Sequence, residues 1–147
     1  MLYQTHARIH LNNIRANIAA IRQQVGAQRQ ILIAVKANAY GHGAVAVSRM
    51  AEQIGVNWLG VATVPEGIQL RQAGISLPIL KLSPAFPEEM SAAVQNDLTL
   101  TVCDPENIAA LEATCAAEQR TAQVHLKVDT GMGRIGVLPA QAPALAA

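Results

Sequence analysis

The first apolar pattern along the chain has the period of a helix. Asn12 is the candidate cap of this helix, and Gly26 lies just past its end. Its apolar face is formed by Ile14, Ile18, Ile21 and Val25. Later, short apolar runs alternate with helical patterns, as the buried strands and connecting helices of a parallel sheet do. The predicted strands are 30–36, 58–63, 78–82, 98–103 and 123–129, and the predicted helices between them are 44–54, 65–73, 87–95 and 105–118.

Proline, glycine and aspartate mark the ends of these helices. Three of them carry proline in the first turn, where its missing N–H costs nothing. Gly55 and Gly74 lie where a left-handed residue would end a helix. Asp104 is a good cap for the helix 105–118. The apolar stripe of that helix is Ile108, Leu111 and Cys115.

Two folds are compatible with this alternation of five strands with helices. Strands that repeat every roughly 20–27 residues with helices between them predict an α/β architecture with a parallel sheet. A doubly wound sheet can be complete in 147 residues, whereas a (β/α)₈ barrel typically needs about 250. The proline- and alanine-rich end, 138–147, contains no further predicted strand. The pattern alone therefore favours a small doubly wound domain.

Composition excludes several classes of protein. Hydrophobic residues make up 51% of the chain, which is enough for a core and argues against disorder. The formal net charge is +1 and the basic residues are scattered without aromatics, which argues against a nucleic-acid partner. No apolar run approaches the roughly 20 residues that a bilayer needs, and residues 1–11 lack the basic-then-apolar order of a secretory signal. We therefore expect a cytoplasmic protein without a membrane partner.

Two further features of the composition concern contacts and thiols. Charged residues make up only 14% of the chain, well below the roughly 25% of an average soluble domain. This deficit predicts a surface that packs against a partner or against a larger remainder of the molecule. Cys103 and Cys115 fit no metal-binding spacing and no disulfide framework, so we expect two free, buried thiols and no metal site.

The first candidate for chemistry is Lys36, at the end of the predicted strand 30–36. Burial there would favour a neutral amine, which Schiff-base chemistry requires, and the alternative is a lysine that extends into solvent. A turn with Gly41, His42 and Gly43 follows, and then a helix whose N-terminus suits an anion such as a phosphate. The alternatives are a plain tight turn and a histidine that forms hydrogen bonds without acid–base work.

A second candidate site follows the last predicted strand. His125, Lys127 and Asp129 share one face of the strand 123–129, and burying three ionisable groups is costly unless they are paired or functional. His125 and Asp129 alone are too few ligands for a metal. The next loop presents Arg134 either to an anionic group such as a carboxylate or as a surface ion-pair partner. This loop is shaped by Gly131, Gly133 and Gly136.

Both segments closely resemble the alanine racemase family, the fold-type III enzymes that use pyridoxal 5'-phosphate (PLP). The sequence AVKANAYGHG, residues 34–43, resembles the family's PLP-lysine motif, and VDTGMGRIG, residues 128–136, resembles its second motif. The resemblance implies an incomplete (β/α)₈ TIM-type barrel of about five β/α units in place of a doubly wound sheet. Residues 1–147 would then be the N-terminal part of the barrel domain, without the rest of the barrel and without the family's C-terminal β-domain.

The same resemblance implies roles for four side chains. Lys36 would hold PLP covalently and act as the base for the α-proton on the D-alanine side. Tyr40 would bind the cofactor phosphate, and Arg134 would meet the substrate carboxylate and orient an opposing catalytic tyrosine. Lys127 corresponds to a lysine that is carbamylated in some members, where the resulting anion positions the arginine. The implied activity is the interconversion of L-alanine and D-alanine, which supplies D-alanine for the cell wall, by a cytoplasmic homodimer.

Other parts of the family's site have no candidate in this sequence. The second base, a tyrosine from the β-domain of the partner subunit, is one of them, because Tyr3 is in the wrong place. We therefore expect an N-terminal fragment or truncated product that is inactive alone and associates through unpaired strand edges. The rival interpretations are a non-catalytic PLP-binding barrel, which has no need of Arg134, a broader-specificity racemase or decarboxylase on the same barrel, and a split product with only an interaction role.

Overall fold

The computed structural model describes residues 6–146, so Tyr3 and the first five residues of the segment 1–11 lie outside the described part. The five predicted strands and the five predicted helices occur in the predicted order, and two further helices of five residues each were not predicted. The strands are β1 (Leu32–Ala34), β2 (Trp58–Val61), β3 (Ile79–Pro84), β4 (Thr99–Val102) and β5 (Val124–Leu126). The helices are α1 (Leu11–Val25), α2 (Lys36–Tyr40), α3 (Ala44–Gln53), α4 (Val64–Gln72), α5 (Pro87–Gln95), α6 (Pro105–Glu118) and α7 (Ala142–Ala146).

The order of the strands decides between the two competing folds. All five strands are parallel, and their order in the sheet is β1-β2-β3-β4-β5, which is also their order in the chain. A doubly wound sheet reverses its order at a switch point, and this sheet does not. Successive helices pack against one another, α3 on α4, α4 on α5 and α5 on α6, and so form one layer. The fold is therefore the partial (β/α)₈ barrel that the resemblance implies, and the doubly wound prediction from length is wrong.

A pair of rings shows that the sheet curls. Trp58 on β2 and His125 on β5 have ring centroids 5.2 Å apart, although β3 and β4 lie between their strands. Neighbouring strands are about 4.8 Å apart, so in a flat sheet these two backbones would be separated by roughly 14 Å. Their side chains meet because the sheet bends toward the face that they share, as the wall of a barrel does.

The opposite face of the sheet carries the core. Its most deeply buried large side chains are Leu59, Leu70, Ile79, Met90 and Leu100, which come from β2, β3 and β4 and from helices α4 and α5. Helix α4 also carries a clamp, because the guanidinium of Arg71 donates to backbone carbonyls in the two loops that lead into β3 and β4. Its acceptors are Ile75 O and Leu77 O at 2.8 Å, Asp97 O at 3.1 Å and Asn96 O at 3.2 Å.

The predicted ends of the elements are partly right. Helices α5 and α6 begin at Pro87 and Pro105 as predicted, and the carboxylate of Asp104 accepts from Asn107 N at 2.7 Å as a cap. The prediction that Asn12 caps α1 is wrong. The helix starts earlier, because the His10 carbonyl already accepts from Asn13 N and Ile14 N.

Three smaller expectations concern the cysteines, the end of the chain and the membrane. Cys103 and Cys115 are free thiols but only partly buried, and burial beside Asp104 raises the pKa of the Cys103 thiol. The segment 138–146 contains helix α7 and no strand. No helix within residues 6–146 is both long and apolar enough to cross a membrane.

Candidate active site

The segment directly after β1 has an unusual backbone. Strand β1 ends at Ala34, so the prediction that Lys36 closes the strand is wrong, and Lys36 is instead the first residue of the turn α2. Four successive residues in this turn are left-handed, with φ between 50° and 55°, and none of them is glycine. They are Ala37, Asn38, Ala39 and Tyr40. Because a left-handed L-residue costs roughly 1–2 kcal/mol, contacts from the rest of the fold must hold this turn in place.

Hydrogen bonds from both ends close the left-handed turn. Gly43 N donates to Asn38 O at 2.9 Å, and the side-chain carbonyl of Asn38 accepts from Ala44 N at 2.8 Å, at the start of α3. The His42 ring nitrogen Nδ1 lies 2.9 Å from Ala39 O and 3.1 Å from Tyr40 O. Both partners are carbonyls, so Nδ1 carries the proton and donates it to the turn. Of the two roles that the sequence left open for His42, acid–base work and hydrogen bonding, this geometry supports hydrogen bonding.

Glu66, on α4, forms the third contact to the turn, and sequence reasoning missed it. Its Oε1 accepts from Ala37 N at 2.7 Å, and its Oε2 accepts from Ala62 N at 2.8 Å and Thr63 N at 3.1 Å. The Thr63 hydroxyl in turn accepts from Glu66 N at 3.4 Å, which completes a capping box for α4. The signal in the sequence is the pair Thr63 and Glu66, three residues apart just before a helix.

Lys36 and Tyr40 stand at the two ends of this turn. Lys36 is half-buried, whereas Tyr40 is 60% exposed. The two side chains are four residues apart, which is about one helical turn. The turn thus carries a primary amine and a phenol, four residues apart in the chain, at the carboxyl end of a barrel strand, where barrels of this kind keep their sites.

The second predicted site lies on the last strand of the sheet, and it is more open than expected. Strand β5 covers only Val124–Leu126, and His125 and Lys127 are exposed, so the prediction that three ionisable groups share a buried strand is wrong. The reason is that β5 is the edge strand of the described sheet, so no further strand follows it there.

Residues 129–136 form the next loop, and hydrogen bonds to Val137 hold its two ends together. Val137 N donates to Lys127 O at 2.9 Å, and Asp129 N donates to Val137 O at 2.9 Å. Gly136 lies directly against the start of the loop, because a Cβ there would be 2.6 Å from Asp129 N. Inside the loop, the Asp129 carboxylate accepts from Gly131 N at 2.9 Å, and hydrogen bonds from the loop amides hold the pKa of Asp129 below its ordinary value.

The loop brings Arg134 and Lys127 to one pocket, which is lined also by Leu82, Thr130 and Ile135. Both cationic side chains are exposed. Lys36 and Tyr40 lie at the same end of the sheet, since both segments follow the carboxyl ends of parallel strands. The structure therefore groups the four predicted residues into two pairs, which follow the outermost strands of the described sheet, β1 and β5.

Comparison with known proteins shows what this arrangement is similar to. The family model for the N-terminal domain of alanine racemase matches residues 9–147. The alanine racemase of Cutibacterium acnes is 51% identical over 136 residues, which are 92% of this chain and 36% of that protein. The structure of alanine racemase from Clostridium difficile in complex with cycloserine is 39% identical with a TM-score of 0.91, and the match covers 95% of this chain and 38% of that one.

A racemase for another amino acid is similar as well. The structure of the histidine racemase of Leuconostoc mesenteroides subsp. sake is 29% identical with a TM-score of 0.84, over 92% of this chain and 36% of that one. The chain spans about a third of the length of the curated relatives that it matches.

Proposed function

Since this chain belongs to the alanine racemase family, we propose that it supplies the lysine-bearing half of the site of a PLP-dependent enzyme that interconverts L-alanine and D-alanine. The observation that carries the proposal is the position of Lys36, half-buried at the start of a tied, left-handed turn at the carboxyl end of β1. Strained backbone of this kind clusters at active sites.

The residues on the turn fit PLP by their chemistry. PLP has an aldehyde, which a primary amine takes up covalently, and a phosphate, which a phenol hydroxyl can bind. Lys36 and Tyr40 offer these two groups about one helical turn apart, and they would hold the cofactor. When bound, PLP delocalises the electron pair that remains after the α-proton of the substrate leaves. Lys36 would remove or return that proton at its Nζ on the D-alanine side.

Arg134 is the proposed partner of the substrate carboxylate. A guanidinium donates two parallel N–H groups to a carboxylate, and the closed loop from Asp129 to Gly136 holds Arg134 at the pocket. Lys127 and Asp129 line the same pocket, and the Asp129 carboxylate, which also accepts from Gly131 N, offsets only one of the two positive charges. Carbamylation would turn Lys127 into an anion that attracts Arg134, and we propose this modification for the active enzyme.

The oligomeric state, location and remaining domains of the active enzyme are also proposals. From the resemblance to the family, we propose that the active enzyme is a cytoplasmic homodimer, and that it is longer than this chain, since the relatives are almost three times as long as the matched region. This chain would form the N-terminal part of its barrel domain, while the remaining barrel and a β-domain would supply the second base. Its product, D-alanine, would serve the cell wall.

A second candidate is a racemase of broader or different specificity on the same barrel. The observation in its favour is the similarity to a histidine racemase. The two candidates separate by which amino acids exchange their α-hydrogen for deuterium in the complete enzyme. Exchange confined to alanine supports the first candidate, and equal exchange of histidine supports the second.

The site itself is tested by reductive trapping with PLP. The chain has three lysines: Lys36, Lys81 and Lys127. Lys81 is 3% exposed, Lys36 is half-buried and Lys127 is exposed, so labelling by exposure alone would favour Lys127. We expect borohydride to fix PLP mainly on Lys36, as located by peptide mass spectrometry, and we expect Lys36→Ala to lose that adduct. Labelling of Lys127 at or above the level of Lys36 would refute the proposal.

A further inference from the structure

Glu66 lies on helix α4, yet one of its carboxylate oxygens reaches the left-handed turn. The cap of α4 uses Oε2, which accepts from the N–H of Thr63 and of Ala62. Oε1 accepts from Ala37 N at 2.7 Å and takes no part in the helix cap. The contact with Ala37 therefore serves the turn.

The N–H group that donates to Glu66 Oε1 belongs to Ala37, the first residue of the left-handed segment. It belongs to the peptide bond between Lys36 and Ala37. The first N–H groups of a helical segment have no acceptor within the segment, and here the first internal bond comes from Ala39 N to Val35 O. An anionic acceptor on Ala37 thus fixes the peptide plane from which the Lys36 side chain departs.

We propose that Glu66 is the positioning residue of Lys36, and that its carboxylate holds the backbone in the form that presents the amine to the aldehyde of PLP. It acts through the Ala37 peptide and not by contact with substrate or cofactor. This inference rests on the proposed function, because it assigns a purpose to the orientation of Lys36.

Three variants separate this role from simple helix capping. Glu66→Gln replaces the anionic acceptor by a neutral amide with a single accepting oxygen, so the charge-assisted hydrogen bond to Ala37 N is lost whichever side that oxygen faces. Glu66→Asp retains the negative charge at the N-terminus of α4, which favours the helix, but it is too short to reach both sides. Thr63→Ala removes the hydroxyl that accepts from Glu66 N and leaves the carboxylate in place, so it is the matched control for damage to the cap.

Two readouts are measured on the chain and its variants. The first is the ratio of PLP adducts on Lys36 and Lys127 after borohydride reduction, with exposed Lys127 as the internal reference. The second is the hydrogen-exchange rate of the Ala37 amide without PLP. Both Glu66 variants are expected to lower the adduct ratio and to speed exchange at Ala37 by about tenfold or more, the effect of losing one charge-assisted hydrogen bond. Thr63→Ala is expected to stay within about twofold of the parent chain in both.

The possible outcomes distinguish the two proposals. If the parent chain labels Lys36 selectively and both Glu66 variants do the same, the positioning role is refuted while the proposed function stands. An equal loss of selectivity in Thr63→Ala also refutes it, because helix capping then explains the effect. If the parent chain shows no preference for Lys36, the proposed function fails and the positioning role fails with it. Circular dichroism checks folding, and Glu66→Asp decides the matter if Glu66→Gln does not fold.

Discussion

Replacing Gly136 by alanine tests how the loop that carries Arg134 is closed. Gly136 has φ +135°, a conformation that L-residues rarely adopt, and its missing Cβ would lie 2.6 Å from Asp129 N and 2.9 Å from Val128 C. These neighbours are backbone atoms and cannot turn aside. Asp129 N is moreover fixed by its hydrogen bond to Val137 O. The added methyl group must therefore push the two ends of the loop apart.

Gly131 provides a matched control within the same loop. Its φ is +132°, and a Cβ there would meet nothing within 4 Å. Both alanine variants pay a similar backbone cost, of order 1–3 kcal/mol. Only Gly136→Ala adds the overlap with backbone atoms, which typically costs a further 1–3 kcal/mol. The difference between the two variants therefore isolates the contact between Gly136 and Asp129.

Amide hydrogen exchange at Val137 and Asp129 measures the closure of the loop directly. Their N–H groups form the two hydrogen bonds that hold its ends together. Exchange at both amides should be about 5- to 150-fold faster in Gly136→Ala than in Gly131→Ala, which corresponds to about 1–3 kcal/mol. Equal exchange rates in the two variants would refute the close approach of Gly136 to Asp129.

Two predictions concern stability. Arg71→Ala removes four hydrogen bonds to loop carbonyls and should lower the free energy of unfolding by about 2–4 kcal/mol. Arg49→Ala removes one exposed hydrogen bond to Ala73 O and should change the free energy of unfolding by less than about 0.5 kcal/mol. Urea unfolding measures both variants, and equal losses would show that the four hydrogen bonds of Arg71 do not stabilise the fold. The second prediction concerns Glu52, whose pKa lies below its ordinary value of 4.5 because the Ser76 hydroxyl and the Ser76 and Leu77 N–H groups donate to its carboxylate. A lowered folded-state pKa adds stability above the unfolded-state value that is lost as the pH falls through the folded-state value. Glu52→Gln should therefore be less stable than the parent chain at neutral pH, with the gap closing below about pH 4.5, and a gap that is constant from neutral to acid pH would contradict this account.

The sequence predicts most elements of the fold because local signals mark them. Proline in the first turn and the Asp104 cap define the starts of α5 and α6, and both helices have the predicted bounds. Strand ends are less well predicted. The apolar alternation of 123–129 continues past the three residues of β5 that pair with β4, because alternation reports which face is buried and not where the ladder of hydrogen bonds stops.

The local pattern of apolar residues does not predict the shape of the sheet. Alternating strands and helices are common to doubly wound sheets and barrels, and length favoured the wrong one. The resemblance of residues 34–43 and 128–136 to family motifs corrected it. The physical evidence for the curl is a contact between Trp58 and His125, which are far apart in the sequence.

The left-handed turn was also unpredictable from local propensity. Ala37, Asn38, Ala39 and Tyr40 include no glycine, and three of the four disfavour left-handed backbone. They are held partly by neighbours in the chain, His42, Gly43 and Ala44, and partly by Glu66, which is 29 positions from Ala37. The local sequence therefore indicates Lys36, and the resemblance to the family adds Tyr40, but neither reveals the backbone that connects them.

The sequential strand order also determines how this sheet can assemble. Each strand pairs with the strand that precedes it in the chain: Trp58 on β2 pairs with Leu32 on β1, and Thr99 on β4 pairs with Leu80 on β3. Such short loop closures favour fast folding, and a growing chain emerges at only about 5–20 residues per second. The turn after β1 gains its tie to Glu66 as soon as α4 has formed, long before the loop of Arg134 exists. During synthesis the lysine side of the site is thus built before the arginine side.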